Sequence, residues 1–260
     1  MSTTPILLIG AGRMGGALLD GWRKTGAFAP GDIGVLDPYP GDAAERARAW
    51  GVSFDPDLSA AVTVILAVKP QLWREAAVEL ATRLSPDAVV VSIAAGVRLA
   101  DLTQAFGGRR VARVMPTTAV AVGQGTAAIF SADGEAQARA HALFDPVATT
   151  VDLDDEALMD AATAVSGSGP AYLYAFVEAL EAAGVSAGLS ADRAARLARS
   201  TVQGAAALMA ESGSGPAELR RQVTSPGGTT AAALEVLLPA LEPLLRDAVQ
   251  AAVTRSKELG

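Results

Sequence analysis

Two glycine-rich segments hold the residues best suited to chemistry. The first, Gly10-Ala11-Gly12-Arg13-Met14-Gly15, lies between a short apolar run and a helical pattern whose buried face would be Met14, Leu18, Leu19 and Trp22. Glycines at this spacing allow a tight turn and let the backbone approach a pyrophosphate, whose charge is met by helix N-terminal amides. Its place between strand and helix, at the start of an α/β pattern, makes it a dinucleotide-binding signature rather than a bare glycine repeat. Asp37 ends the next apolar run, where an acid can bond a ribose hydroxyl. The alternative is a turn Asp before Pro38. The second segment, Val223-Thr224-Ser225-Pro226-Gly227-Gly228-Thr229-Thr230, precedes a helix by propensity, Ala231 to Leu237. A Pro-Gly-Gly loop flanked by hydroxyls and aimed at a helix start suits a small anion such as a carboxylate. Taken alone, it also reads as a capped turn.

Ligands of open α/β sheets sit at the carboxyl ends of the strands. By that rule Ala67-Val68-Lys69-Pro70-Gln71 and Ser92-Ile93-Ala94-Ala95-Gly96 face the same crevice, the second with side chains small enough for a ring to lie against backbone. Lys69 either meets a cofactor or substrate there or is a surface lysine at a turn. Arg113-Val114-Met115-Pro116-Thr117-Thr118 brings two further hydroxyls to that opening.

The elements that must position these residues change character along the chain. Ile6 to Ile9, Ile33 to Leu36, Val62 to Val68, Ala88 to Ile93, Val111 to Met115 and Thr126 to Phe130 read as strands. Several are apolar without alternation, as strands covered on both faces are, and the spacers are long enough for crossover helices. This predicts an α/β fold with a doubly wound parallel sheet over residues 1–154. Residues 155–260 read as helices. Tyr172, Leu173, Phe176, Val177 and Leu180 share one helical face, and Leu241, Leu244, Leu245, Ala248, Val249, Ala252 and Val253 form another. Packing as plain core is the default expectation for both stripes, completed against a second subunit if the chain oligomerises. Ser166-Gly167-Ser168-Gly169-Pro170-Ala171-Tyr172 puts a proline at a helix entry.

Composition removes other chemistries. The chain has no Cys, one His (His141) and a net charge of -7. Disulfides, thiolate nucleophiles and cysteine-ligated zinc are excluded, and no metal site is expected. Arg109, Arg110 and Arg113 are the only basic cluster and suit a strand entrance better than nucleic acid. No apolar stretch reaches the roughly 20 residues of a membrane span, and Met1 to Gly10 lacks a basic leader. A cytoplasmic protein with small-molecule partners is expected. His141, in a helical stretch from Glu135 to Phe144, reads as a surface or satisfied packing residue.

From the first glycine motif through Ala67 to Gln71 and Ser92 to Gly96, and above all at Ser225-Pro226-Gly227-Gly228-Thr229-Thr230, the chain resembles the pyrroline-5-carboxylate reductases. The resemblance implies a Rossmann-type domain binding NADPH or NADH through Gly10, Gly12, Arg13, Met14, Gly15, Asp37, Ala67, Val68, Lys69, Pro70, Ala94, Ala95, Gly96 and Thr117. It also implies an all-helical dimerisation domain, with a homodimer as the catalytic unit and higher assembly from dimers. Ser225, Gly227, Gly228, Thr229 and Thr230 would hold the substrate carboxylate, with Thr230 approaching the ring nitrogen as the catalytic hydroxyl. The expected reaction is reduction of pyrroline-5-carboxylate to proline. Thr117 departs from the family, which usually has Asn there, and Gly51 to Val62 looks a few residues short.

A hydroxyacid-type dehydrogenase is the rival enzyme. Carbonyl reduction makes an alkoxide and normally calls for a Lys or His donor, yet residues 155–260 contain only Lys257 and no His. A non-catalytic cofactor-binding paralogue is the remaining alternative, kept open by Thr117.

Overall fold

The computed structural model describes residues 4–54 and 56–259. The readings at Met1 to Thr3 and at Asp55 lie outside them. Seven strands form one sheet: β1 (Ile6–Ile9), β2 (Ile33–Leu36), β3 (Thr63–Leu66), β4 (Val89–Ser92), β5 (Val111–Pro116), β6 (Gly125–Phe130) and β7 (Ala148–Asp152), in the order β2-β1-β3-β4-β5-β6-β7. The helices of this part are α1 (Arg13–Thr25), α2 (Asp42–Trp50), α3 (Trp73–Ala81), α4 (Leu99–Ala105), α5 (Gly134–Phe144) and the short α6 (Met159–Ala162).

The unbroken apolar strands are explained by cover on both faces. In β1, Ile6 and Leu8 point into one core with Leu18 and Trp22 of α1 and Phe144 of α5. Leu7 and Ile9 point into the other, with Trp73 and Leu80 of α3 and Leu102 of α4. The first five strands are parallel, and β6 reverses against β5. Only a 3-10 turn, Thr118–Val122, links β5 to β6, too short for the crossover that a parallel pair needs. β7, parallel to β6 and reached through α5, is absent from the sequence reading. It is the sheet's edge and largely exposed, so its Ala-Thr-Thr-Val-Asp composition lacks the buried signature of the others.

By compactness, residues 1–167 with 252–260 form one unit and residues 168–251 another. Strands end at Asp152, but the turn Glu156–Leu158 and α6 stay with the sheet because Met159 packs with Met115 and Ala128 in a third cluster. The second unit holds α7 (Gly169–Ser186), α8 (Ala191–Ser212), α9 (Pro216–Gln222) and the first part of α10 (Thr229–Leu259). Pro170 opens α7 in its first turn, and Gly184 brings α7 close to Ala194 of α8. Here the plain-core expectation fails within the chain. Among the described residues of this unit only Ala194 and Ala198 are buried hydrophobics, whereas Leu173, Phe176, Leu180, Leu244 and Leu245 are exposed.

Candidate active site

Register brings the sequence-predicted residues of the first unit to one level. Ile9 pairs with Leu36 and Leu66, Leu66 with Ser92, and Ser92 with Arg113. Gly10, Asp37, Ala67 and the Ile93–Gly96 segment therefore all leave the same edge. The glycine loop follows β1, where the strand order reverses, the usual ligand crevice of such sheets.

The loop's geometry requires Gly10 and Gly15. Gly10 has φ of +94°, and a Cβ there would lie 2.9 Å from the Ala67 carbonyl oxygen. A Cβ on Gly15 would collide with the Gly10 carbonyl, while at Gly12 it would meet nothing. Gly12 thus faces open space as the N-cap of α1, with no side-chain cap and no acidic residue in the first turn. The first amides of α1 are left for an anion, with Arg13 exposed beside them and Met14 half-buried. Asp37 reaches this loop directly: Oδ2 accepts from the Ala11 amide at 2.6 Å and Oδ1 from the Tyr39 amide at 2.8 Å.

A groove of ≈ 490 Å³ runs along the loop, bordered by Gly12, Arg13, Tyr39, Arg46 and Thr118. Arg46 is engaged by Asp20, Nη2 to Oδ2 at 2.5 Å, a hydrogen bond that with the Asp20 charge raises its pKa. Arg48 pairs with Glu45 and lies 4.3 Å over the Phe54 ring. Arg13 is the guanidinium in the groove with no such engagement among the described residues. Nothing in this cradle is at odds with a dinucleotide, since its amides and open glycine match a pyrophosphate and its arginine a second phosphate.

Ala67 and Val68 are half-buried, Lys69 is exposed, and Pro70 opens the 3-10 turn Pro70–Leu72. Ala94 is buried, and Ala95 and Gly96 are half-buried, with Gly96 at φ of +77°. Thr117 differs from its expected place. Its hydroxyl is turned into the sheet, 7% exposed, and accepts from the Thr126 amide at 3.0 Å. Having accepted one bond, it keeps its O–H and a second lone pair, and Thr118 is the hydroxyl that borders the groove.

In the second unit, α9 ends at Gln222 and α10 begins at Thr229. Between them the Gly228 amide donates to the Ser225 carbonyl at 3.0 Å, and Gly227 has φ of +70°. A Cβ on Gly228 would lie 2.5 Å from Ser225 Oγ. Gly227 is therefore required by its conformation, and a Cβ at Gly228 would oblige the Ser225 side chain to turn away. Ser225, Gly227 and Thr229 are exposed, and Gly228 and Thr230 are half-buried.

Arg113 corrects the reading of the basic cluster. Arg109 donates to the carbonyls of Ala81, Leu84, Ser85 and Phe106 just before β5, and Arg110 pairs with Asp133 and Glu135, as strand-entrance residues do. Arg113 is instead 7% exposed inside β5 and pairs with Glu156 at 2.6 Å. No local pattern signals a partner 43 residues away. Tyr39, 89% exposed, borders the groove beside Arg13.

Among the described residues there is no helix long and apolar enough to cross a membrane, and no cluster of His, Cys, Asp and Glu that could hold a metal.

Comparison with known proteins agrees with both glycine segments. Residues 156–259 match the family model for pyrroline-5-carboxylate reductase dimerisation, and residues 5–96 that for NADP oxidoreductase, coenzyme F420-dependent. A pyrroline-5-carboxylate reductase of Pseudomonas aeruginosa is 40% identical, covering 100% of this chain and 98% of that protein. A solved pyrroline-5-carboxylate reductase from Coxiella burnetii superposes with a TM-score of 0.91 at 32% identity, covering 100% and 99% of the two chains. The Plasmodium falciparum enzyme, solved with NADP bound, gives 0.85 at 26% identity over 100% and 99%. With a relative this similar along its whole length, the chain belongs to the pyrroline-5-carboxylate reductase family.

Proposed function

We propose that this protein reduces pyrroline-5-carboxylate to proline with NADPH or NADH. The observation that carries the reading is the full-length match to reductases of that name, which includes the Ser225–Thr230 loop with Gly227 in a left-handed conformation. In this reading the loop at Gly227 and Gly228, with the first amides of α10, receives the substrate carboxylate, and Ser225 and Thr229 stand beside it. Gly10, Gly12, Met14 and Gly15 receive the pyrophosphate, and Asp37 and Arg13 read the adenosine ribose. Ala67, Val68, Lys69 and Pro70, together with Ala94, Ala95, Gly96 and Thr117, form the walls of the crevice.

The cofactor, when bound, supplies the hydride. The protein's own share is small, because a protonated cyclic imine is already a strong electrophile and the main requirement is close, oriented approach. Thr230 accepts a hydrogen bond from the iminium N–H and then donates to the developing amine, without ionising. Such a reaction needs neither Cys nor His, which suits this composition. A carbonyl reductase normally calls for a Lys or His donor, and residues 155–260 offer only Lys257.

Residues 155–260 act together as the substrate-binding and dimerisation part in this reading, and the homodimer is the working unit. Support comes from the dimerisation match and from the exposed apolar residues of α7 and α10, since apolar surface on this scale marks an interface. Steady-state reduction of pyrroline-5-carboxylate, followed by cofactor absorbance with NADPH and with NADH, tests the function. Turnover with either cofactor supports it, and none with both, by folded dimeric protein, overturns it.

A further inference from the structure

Glu156 has no part in the roles assigned so far, yet one of its oxygens joins two pieces of the crevice. Helix α4 starts at Leu99, and the preceding Arg98 gives it no side-chain cap. Glu156 Oε1 takes the Leu99 amide instead, at 2.6 Å, from 57 residues away. The same oxygen accepts from Arg113 Nη1, also at 2.6 Å. Charge-assisted bonds this short are among the strongest a protein makes.

The loop that these bonds terminate is Ile93 to Arg98, which contains Ala94, Ala95 and Gly96. Three residues beyond Glu156, the buried Met159 packs with Met115, and Ala95 rests on that cluster. One short segment thus holds the loop twice, by hydrogen bond at its end and by packing at its middle. A cavity of ≈ 480 Å³ beside Gly96, Arg98, Arg113 and Glu156 leaves the loop room to shift once the bond is lost. The glycine loop that receives the pyrophosphate is braced separately, by Asp37.

We propose that Glu156 is a positioning residue for the nicotinamide end of the cofactor, fixing Ala94–Gly96 through the Leu99 amide and Arg113. The proposal rests on the cofactor-binding reading above. It separates the two ends of the ligand, because the adenosine end meets a part of the sheet that Glu156 does not touch.

The test compares Glu156→Gln with the unmodified protein by calorimetric titration of NADPH and of 2′-phospho-ADP-ribose, which lacks the nicotinamide, alongside kcat. NADPH should bind about tenfold more weakly, kcat should fall about tenfold, and the fragment's affinity should be unchanged. Arg113→Lys, which keeps the charge but loses the planar fork, should give a smaller loss in the same direction and carries the comparison if Glu156→Gln does not fold. Equal weakening of both ligands would overturn the proposal, reducing Glu156 to general support of the fold. Unchanged binding of both would overturn it too. If the unmodified protein binds neither ligand, the cofactor reading itself falls, and this proposal with it.

Discussion

Thr230 stands at the first turn of α10, half-buried behind the loop that Gly227 and Gly228 shape. Losing one well-placed hydrogen bond of roughly 1 to 3 kcal/mol slows a reaction about 5- to 150-fold. Thr230→Ala should therefore lower kcat by that factor with little effect on cofactor affinity, and Thr230→Ser should retain most of the activity. Unchanged kinetics in Thr230→Ala would remove this hydroxyl from the mechanism. Asp37 carries a second prediction. Its charge favours a ribose with free hydroxyls over a 2′-phosphate, so Asp37→Ser should move the ratio of kcat/KM toward NADPH by about tenfold, or ~1.4 kcal/mol. Because Asp37 also ties down the Ala11 amide, affinity for both cofactors should fall as well. Arg13→Ala should move the ratio toward NADH. A ratio that neither substitution moves would place the adenosine ribose elsewhere.

At the scale of elements, the edge strand β7 is fastened to α5 by an imidazole. His141 Nδ1 lies 3.1 Å from Asp145 Oδ1, and Nε2 lies 3.0 Å from Asp152 Oδ1 at the strand's end. Partial burial disfavours the imidazolium, but hydrogen bonds and charge from both carboxylates exceed that penalty and raise the pKa above 6.5. A group raised on folding stabilises fully below its unfolded value and loses that contribution as pH rises through the folded one. Protection factors for β7 amides should therefore be highest below about pH 6.5 and decline as pH rises through the raised value of the folded state. His141→Gln should flatten the dependence, and a rise with pH in the unmodified protein would refute this. The strand and its histidine also show where sequence legibility ends. β1 could be read at once because Ile6 to Ile9 are covered from both sides, and the glycine loop because its turn leaves no room for a side chain at Gly10 or Gly15. β7 hides because one exposed edge needs little apolar character. Arg113 hides for another reason, since a buried charge is explained only by its partner and Glu156 is distant in sequence. The bond from the Thr126 amide to Thr117 hides likewise, because a type and a position cannot say which way a hydroxyl turns.

For the whole molecule, the exposed Leu173, Phe176, Leu180, Leu244 and Leu245 set the expectation of assembly. Multi-angle light scattering should return a dimer or a multiple of dimers, and Phe176→Glu with Leu244→Glu should shift it toward monomer with loss of activity. A stable, active monomer would contradict this. The placement of the tryptophans has a different consequence. All three, Trp22, Trp50 and Trp73, precede Gly167, and Trp22 is fully buried on α1, edge-on to Phe28 with Nε1 bonded to the Leu143 carbonyl at 2.9 Å. The helical unit from Ser168 to Ala251 has tyrosines but no indole. Indole emission is thus a colour that belongs to the first unit alone: under red-edge excitation its melting, helices α1 to α3 included, is visible while the unit from Ser168 to Ala251 stays dark, and circular dichroism, to which the helices of both units contribute, supplies the total from the same cuvette.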